Sequence, residues 1–261
     1  MIVDIHTHIF PPRFIAERAR LIEADPAFAE LYAAPQARMV DAAALIASMD
    51  RAGVDVSVAA GFWWGDRALA EEHAAYLVEV AARSDGRIAP FVPLPAAPAP
   101  ADAAGVGEVR ERDPARLVAP AGNPALPLLV HCSEEVGHRY PGKAGGLTPG
   151  ALWVLLEGQP DARVIAAHWG GGFPFYALMP EVRAVIDAGR LVFDTAASAF
   201  LYGTDAARHG IALAGVDAVC WGSDFPLREQ DVDRAAIEAA LPDPAERAAV
   251  LGGNAARFLG L

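Results

Sequence analysis

The sequence predicts an α/β protein folded as a parallel (β/α)8 TIM barrel, and three observations predict it. Eight short apolar or β-branched runs recur along the 261 residues. Most of them are apolar on both parities, as strands must be when helices cover one face and a packed barrel fills the other. Helical stretches separate several of the runs, for example residues 68–83 (ALAEEHAAYLVEVAAR) and 175–189 (FYALMPEVRAVIDAG). A doubly wound open sheet is the second arrangement compatible with this alternation.

Taken in order, the runs are VDIHTH (3–8), DVSVAAGF (55–62), IAPFVPL (88–94), GVGEV (105–109), LPLLVHC (126–132), RVIAAHWG (163–170), LVFDTAA (191–197) and AVCWGSDF (218–225). The last helix carries its own start signal, with Asp243 as N-cap, Pro244 in the first turn and Glu246 as the capping glutamate. Two connections are short of helix-forming sequence: 95–104 and 110–125 are spaced by prolines and barely reach the dozen residues of a parallel crossover. The helices after strands 3 and 4 are therefore expected to be short or missing. An uncovered apolar flank at the third to fifth strands would pack against a second subunit, so a homodimer is expected.

Composition narrows the function. With 54% hydrophobic and 21% charged residues the chain suits one domain over 1–261. A formal net charge of -12 excludes a phosphate-tracking nucleic-acid binder and a polybasic membrane binder, both of which need the opposite sign of field. Cys132 and Cys220 sit inside apolar runs and read as reduced, buried thiols. There is no basic, apolar leader at the start and no apolar stretch of membrane-spanning length, so a soluble cytoplasmic protein is expected.

The chemistry-bearing residues fall at the ends of the runs. Side chains alternate along a strand, so His6 and His8 share a face about 7 Å apart and face one space. Asp4, Cys220 and Gly222 share the inward parity of their neighbours His6 and Asp224. His131 ends the fifth run, His168 the sixth and Asp224 the eighth. In a parallel barrel these ends form one rim, and the eighth strand adjoins the first. Each residue alone reads more readily as a core histidine or a capping aspartate than as a ligand. Together, imidazoles and a carboxylate suit a borderline divalent cation such as Zn²⁺, with Mn²⁺ as the alternative, which would lower the pKa of a bound water. Asp224 would then accept a proton, and His168 would polarise a carbonyl or shuttle protons.

The segments DIHTHIFP (4–11), LVHCSEEVGHRYPGK (129–143), AHWGGGFPFYALMPEVR (167–183), GSDFP (222–226) and GNAARFLGL (253–261) resemble the amidohydrolase superfamily. Within it they are most similar to the amidohydrolase-2 branch, which includes aminocarboxymuconate-semialdehyde decarboxylase-type enzymes and lactonases. The resemblance implies a metal-dependent barrel with His6, His8, His131 and Asp224 around the metal and His168 as catalytic histidine. It also marks a departure: the carboxylated lysine that bridges two metals in many members is absent, because Lys143 is the one lysine here. Glu108, near the end of the fourth strand, is either a ligand for a second ion or a structural acid paired with an arginine. One ion is expected, or two if Glu108 binds.

Around the metal, Lys143 or Arg139 would receive an acidic group of a small-molecule substrate, and Tyr140 shares their loop. Trp63, Trp64 and Trp169 are candidates for an aromatic wall, or equally for packing beneath the loops. Two activities fit this set. The first is hydrolysis of a lactone, ester or amide by metal-activated water. The second is non-oxidative decarboxylation of a small unsaturated or aromatic carboxylic acid.

Overall fold

In the computed structural model, which describes residues 1–93, 100–117 and 126–261, all eight runs form strands. These are β1 (Val3–His8), β2 (Val56–Ala60), β3 (Ile88–Val92), β4 (Gly105–Val109), β5 (Leu128–Val130), β6 (Val164–Ala166), β7 (Leu191–Asp194) and β8 (Val219–Cys220). They pair in sequence order, every pair parallel. The seam between β8 and β1 is closed by Ile5 N–H to Trp221 O at 3.0 Å, Asp224 N–H to His6 O at 2.9 Å and His8 N–H to Phe225 O at 2.7 Å. The fold is the expected (β/α)8 barrel.

The sheet separates two apolar layers. Inside lie Val3, Ile5, Val56, Val58, Phe91, Leu129, Ile165, Val192 and Cys220, with Ala255 and Phe258 of the last helix (Asn254–Leu259) packed against them. Outside, the alternate residues of the same strands pack under the helices. The interior is fitted by size: a Cβ at Gly105 would lie 2.4 Å from the Phe91 ring, so β4 yields its space to a large neighbour.

Two irregularities set the site. The pairing of β1 with β2 slips between Asp4 and Thr7, and that of β4 with β5 slips between Val106 and Val109. A bulge of this kind re-aims the side chains beyond it. In β1 it corrects the expected parity of Asp4. Val3 and Ile5 face the barrel interior, whereas Asp4 accepts hydrogen bonds from Ser223 Oγ at 2.5 Å and from Gln230 Nε2 of the covering helix (Gln230–Ala240) at 2.8 Å. Cys220 and Gly222 do point inward: a Cβ at Gly222 would sit 2.9 Å from that of His6.

The main covering helices begin where side-chain caps permit. Asp41, Asp66 and Thr148 accept backbone N–H groups at the starts of Ala42–Ala52, Arg67–Ala82 and Pro149–Gly158. Asp243 caps Pro244–Ala248 through Ala245 and Glu246 N–H, as its spacing predicts, but the helix it starts is not the last one: a π-helical segment, Ala249–Gly253, leads on to Asn254–Leu259. The 175–189 stretch is divided, with a 3-10 segment Phe173–Leu178 followed by the helix Pro180–Asp187, because Pro180 lacks the N–H to continue a helix and starts a new one. After β1 the chain inserts three short helices, Pro12–Ala16, Arg18–Ala24 and Pro26–Tyr32, which the sequence reading did not separate. In the two proline-spaced connections the 3-10 turn Pro114–Arg116 is the helical element among the described residues; 94–99 and 118–125 lie outside them. Among the described residues no helix is long and apolar enough to cross a membrane.

Candidate metal centre and active site

The C-terminal ends of the strands collect imidazoles and carboxylates in a small volume. His6 and His8 face each other with their Nε2 atoms 3.1 Å apart. The other nitrogen of each ring is engaged: His6 Nδ1 lies 2.8 Å from Asp194 Oδ2 and His8 Nδ1 lies 3.3 Å from Ala60 O. Acceptors at both Nδ1 atoms place the ring protons there. Two neutral rings so oriented oppose lone pair to lone pair at Nε2, an arrangement that calls for a positive charge between them. Asp224 Oδ1 completes the group, 3.3 Å from His8 Nε2 and 3.8 Å from His6 Nε2.

A second group adjoins the first. His131 Nδ1 lies 2.8 Å from Glu108 Oε1 and 3.2 Å from His168 Nε2. Glu108 stands between the groups, with Oε1 3.7 Å from His6 Nε2 and Oε2 3.6 Å from His8 Nε2. Of the sequence-predicted metal residues, His6, His8 and Asp224 thus have their donor atoms within 4.8 Å of one another, while His131 is gathered with Glu108 and His168. Both readings of Glu108 have a counterpart, since its Oε2 also lies 3.4 Å from Arg110 Nε.

The electrostatics match this geometry. Burial alone would depress the His6 ring, but the carboxylates of Asp194, Asp224 and Glu108 raise its pKa to about 10. Burial would raise Asp224, yet His6 and His8 lower it to about 2. For Glu108 burial is likewise outweighed, by Arg110 and His131, which hold it well below the usual carboxylate range. His131 is lowered to about 4 by burial and the Arg110 guanidinium. His168 is moved the other way: against the effect of burial, its contact with Glu108 and the nearby Asp224 raise its pKa. An anionic, buried site that favours a proton on His6 suits a divalent cation in its place, and the mixed nitrogen and oxygen donors fit one.

Local backbone conformation presents these groups. His168 and Trp169 follow β6 in the left-handed region (φ 56° and 60°), and Asp224 follows β8 likewise (φ 59°). Such conformations cost non-glycine residues about 1–2 kcal/mol each and persist where the surroundings fix them. Asp194 does the fixing for His168, accepting its N–H at 2.7 Å while holding His6. Asp194 ends β7 but stands in the middle of the sequence run 191–197, so the position that marks it is the strand end the structure defines.

Above the candidate metal residues opens a cavity of about 470 Å³. Its wall includes Leu31 and Tyr32 from the inserted helices, Phe62, Trp63, Phe200 and Leu227, with His8, Glu108, His131, His168 and Asp224 at the polar end. Tyr140 lines it as expected. Four other expected substrate residues are placed elsewhere. Lys143 Nζ is bound by the carbonyls of Val136 and His138 in its own loop and lies 3.4 Å from Glu134. Arg139 points to solvent. Trp64 is enclosed among Phe14, Phe28 and Phe62, donating to His73 Nδ1 at 3.1 Å. Trp169 donates to Ser198 Oγ at 2.7 Å and packs on Gly210. Of the three aromatic-wall candidates Trp63 does reach the cavity, and so do Arg38 and Arg110, which were not among the expected residues.

A closed parallel barrel with histidines and carboxylates converging at its C-terminal rim defines a metal-binding barrel of enzyme type. The chain belongs to the amidohydrolase family: the Amidohydro_2 family model matches residues 125–261, slightly more than half of it. Solved structures agree in fold. The manganese complex of 5-carboxyvanillate decarboxylase from Novosphingobium aromaticivorans superposes with a TM-score of 0.75 at 15% identity, covering 100% of this chain and 96% of that one. For 5-carboxyvanillate decarboxylase LigW from Sphingomonas paucimobilis the values are 0.70, 17%, 100% and 99%. For 2,6-dihydroxybenzoate decarboxylase from Rhizobium they are 0.67, 15%, 99% and 98%. No curated protein sequence matches the chain.

Proposed function

We propose that this protein is a metal-dependent, non-oxidative decarboxylase of a small aromatic or unsaturated carboxylic acid, acting as a single domain over 1–261. The observation that carries the reading is the pair of facing His6 and His8 nitrogens beside Asp224 and Glu108 at the floor of an aromatic-walled cavity. The fold likeness to decarboxylases of aromatic acids supports it over the hydrolase expected first. His6, His8 and Asp224 would hold the ion, with Glu108 the adjoining ligand and His131 tied to it. Mn²⁺ and Zn²⁺ both suit these donors, and the neighbour from Novosphingobium contains manganese. When bound, the cation would supply a Lewis acid for the substrate's carboxylate or an adjacent hydroxyl.

The chain's own groups do the rest. Leu31, Tyr32, Trp63 and Phe200 sandwich a planar ring and exclude water from it. His168 is the proton donor in this reading: its Nδ1–H is held 3.1 Å from Ala196 O, which turns Nε2 towards His131 and Glu108. As the bond between ring and carboxylate breaks, the electron pair stays on the ring carbon, takes the His168 proton, and CO2 departs. Both free cysteines are buried, which supports a reducing, cytoplasmic setting. The homodimer stands as part of the same proposal. The test is CO2 release from carboxylated phenols by Mn²⁺- and Zn²⁺-loaded protein, run beside lactones and esters with proton release as the readout. Turnover of the second set alone would replace this reading by the hydrolytic one.

A further inference from the structure

We infer that Arg110 is the carboxylate receptor of this cavity and sets its selectivity for acids over neutral ligands of the same shape. The assignment rests on the cavity being the substrate site. Its first support is elimination of other cations. Among the described residues lining the cavity, the guanidinium groups are those of Arg38 and Arg110. Arg38 is half-exposed and committed, with Nη1 2.5 Å from Glu229 Oε1 and 3.1 Å from Pro226 O. Lys143 is consumed by its own loop.

The second support is that Arg110 is held in place but poorly satisfied. Its contacts are Nε to Glu108 Oε2 at 3.4 Å, Nη1 to Gly142 O at 3.3 Å and Nη2 to His131 Nδ1 at 3.2 Å. The last is not a hydrogen bond, because His131 Nδ1 carries the proton given to Glu108 Oε1 at 2.8 Å. A guanidinium has five N–H groups, and here two long contacts engage it. A carboxylate is the acceptor its planar fork fits, and in a site this buried the pairing gains from the low dielectric.

The third support is that the fold makes room for it. Gly142 adopts φ +81°, and a Cβ there would lie 2.7 Å from Arg110 Nη1 and 2.5 Å from Leu31 Cδ2. The loop over the cavity therefore closes down on the guanidinium through a glycine. Leu31 and Tyr32 adjoin it, so an anion on Arg110 would present its ring to the apolar wall.

The experiment compares benzoate with benzamide, matched in shape and differing in charge, binding to the Mn²⁺-loaded wild type, Arg110→Met and Arg110→Lys. Calorimetry reads affinity, and metal content is measured alongside. Benzoate affinity should fall about 10- to 100-fold in Arg110→Met, benzamide affinity should not change, and Arg110→Lys should recover part of the discrimination. Equal discrimination in wild type and Arg110→Met, or no preference for benzoate in the wild type, overturns the inference. Should Arg110→Met lose its metal, Arg110→Lys decides: an undiminished preference for benzoate in it refutes the fork. Arg110-dependent benzoate binding in a protein that releases no CO2 from any carboxylated phenol would sink the decarboxylase reading and leave this inference standing.

Discussion

His6 Nδ1 lies 2.8 Å from Asp194 Oδ2, and solvent reaches neither side chain. One carboxylate thereby orients two histidines, because Asp194 Oδ1 also accepts the His168 N–H. Replacing Asp194 by Asn keeps the shape but offers one acceptor oxygen where two are used. Metal affinity should fall about 10- to 100-fold with the fold retained. Metal titration of the refolded variant checks this, and affinity equal to wild type would remove Asp194 from its orienting role.

Asp224→Asn tests the proposed ligand directly. Asn tolerates the left-handed conformation at φ 59°, so the thermal midpoint should change little. The carboxylate whose pKa is lowered to about 2 is lost, and turnover should fall by roughly 100-fold or more. A rate close to wild type would exclude Asp224 from the reaction.

How much of this was legible beforehand differs by residue. The eight strands stood out because apolar runs and their separations are local properties, and the rim histidines stood out because titratable groups at strand ends are unusual. Asp194 lies inside the run LVFDTAA, and only the end of β7 in the structure puts it at the rim. No sequence pattern distinguishes Arg110 from the other arginines, and none reveals the carbonyls that engage the lone Lys143 within its own loop. Asp4 takes the face of His6 only on the assumption of a regular pleat. The slips in β1 and β4 break that assumption, and they arise from how neighbouring strands pair rather than from either strand alone.

β4 offers a test of the second slip. Gly107 has φ +155°, and a Cβ there would lie 2.7 Å from both the Cβ and the carbonyl O of Leu129. Gly107→Ala must displace one strand or the other. The expected cost is about 1–3 kcal/mol of stability, with reduced metal occupancy because Glu108 is the next residue. Denaturant midpoints and metal content measure the two effects. An unchanged midpoint would show that the strands absorb the methyl group freely.

His73 gives the pH dependence of the fold. It is buried outside the candidate metal set, and its Nδ1 accepts from Phe62 N–H at 3.3 Å and Trp64 Nε1–H at 3.1 Å, while Nε2–H donates to Ile9 O at 2.8 Å. The ring is therefore held neutral, and burial lowers its pKa from 6.5 to about 4. Between those values the unfolded chain binds the proton and the native one does not, so this contribution is complete above about pH 6.5 and is lost as pH falls towards 4. Its full size is roughly 3 kcal/mol. Asp4 and Asp233, each raised to about 6 by burial, act in the opposite sense over the same range, since acid relieves their buried charge. The two effects are separated by His73→Gln, whose amide can accept and donate without titrating. The wild type should lose roughly 3 kcal/mol more than this variant between pH 6.5 and 4 by denaturant titration. Parallel profiles would mean that the ring is not held neutral by its three partners.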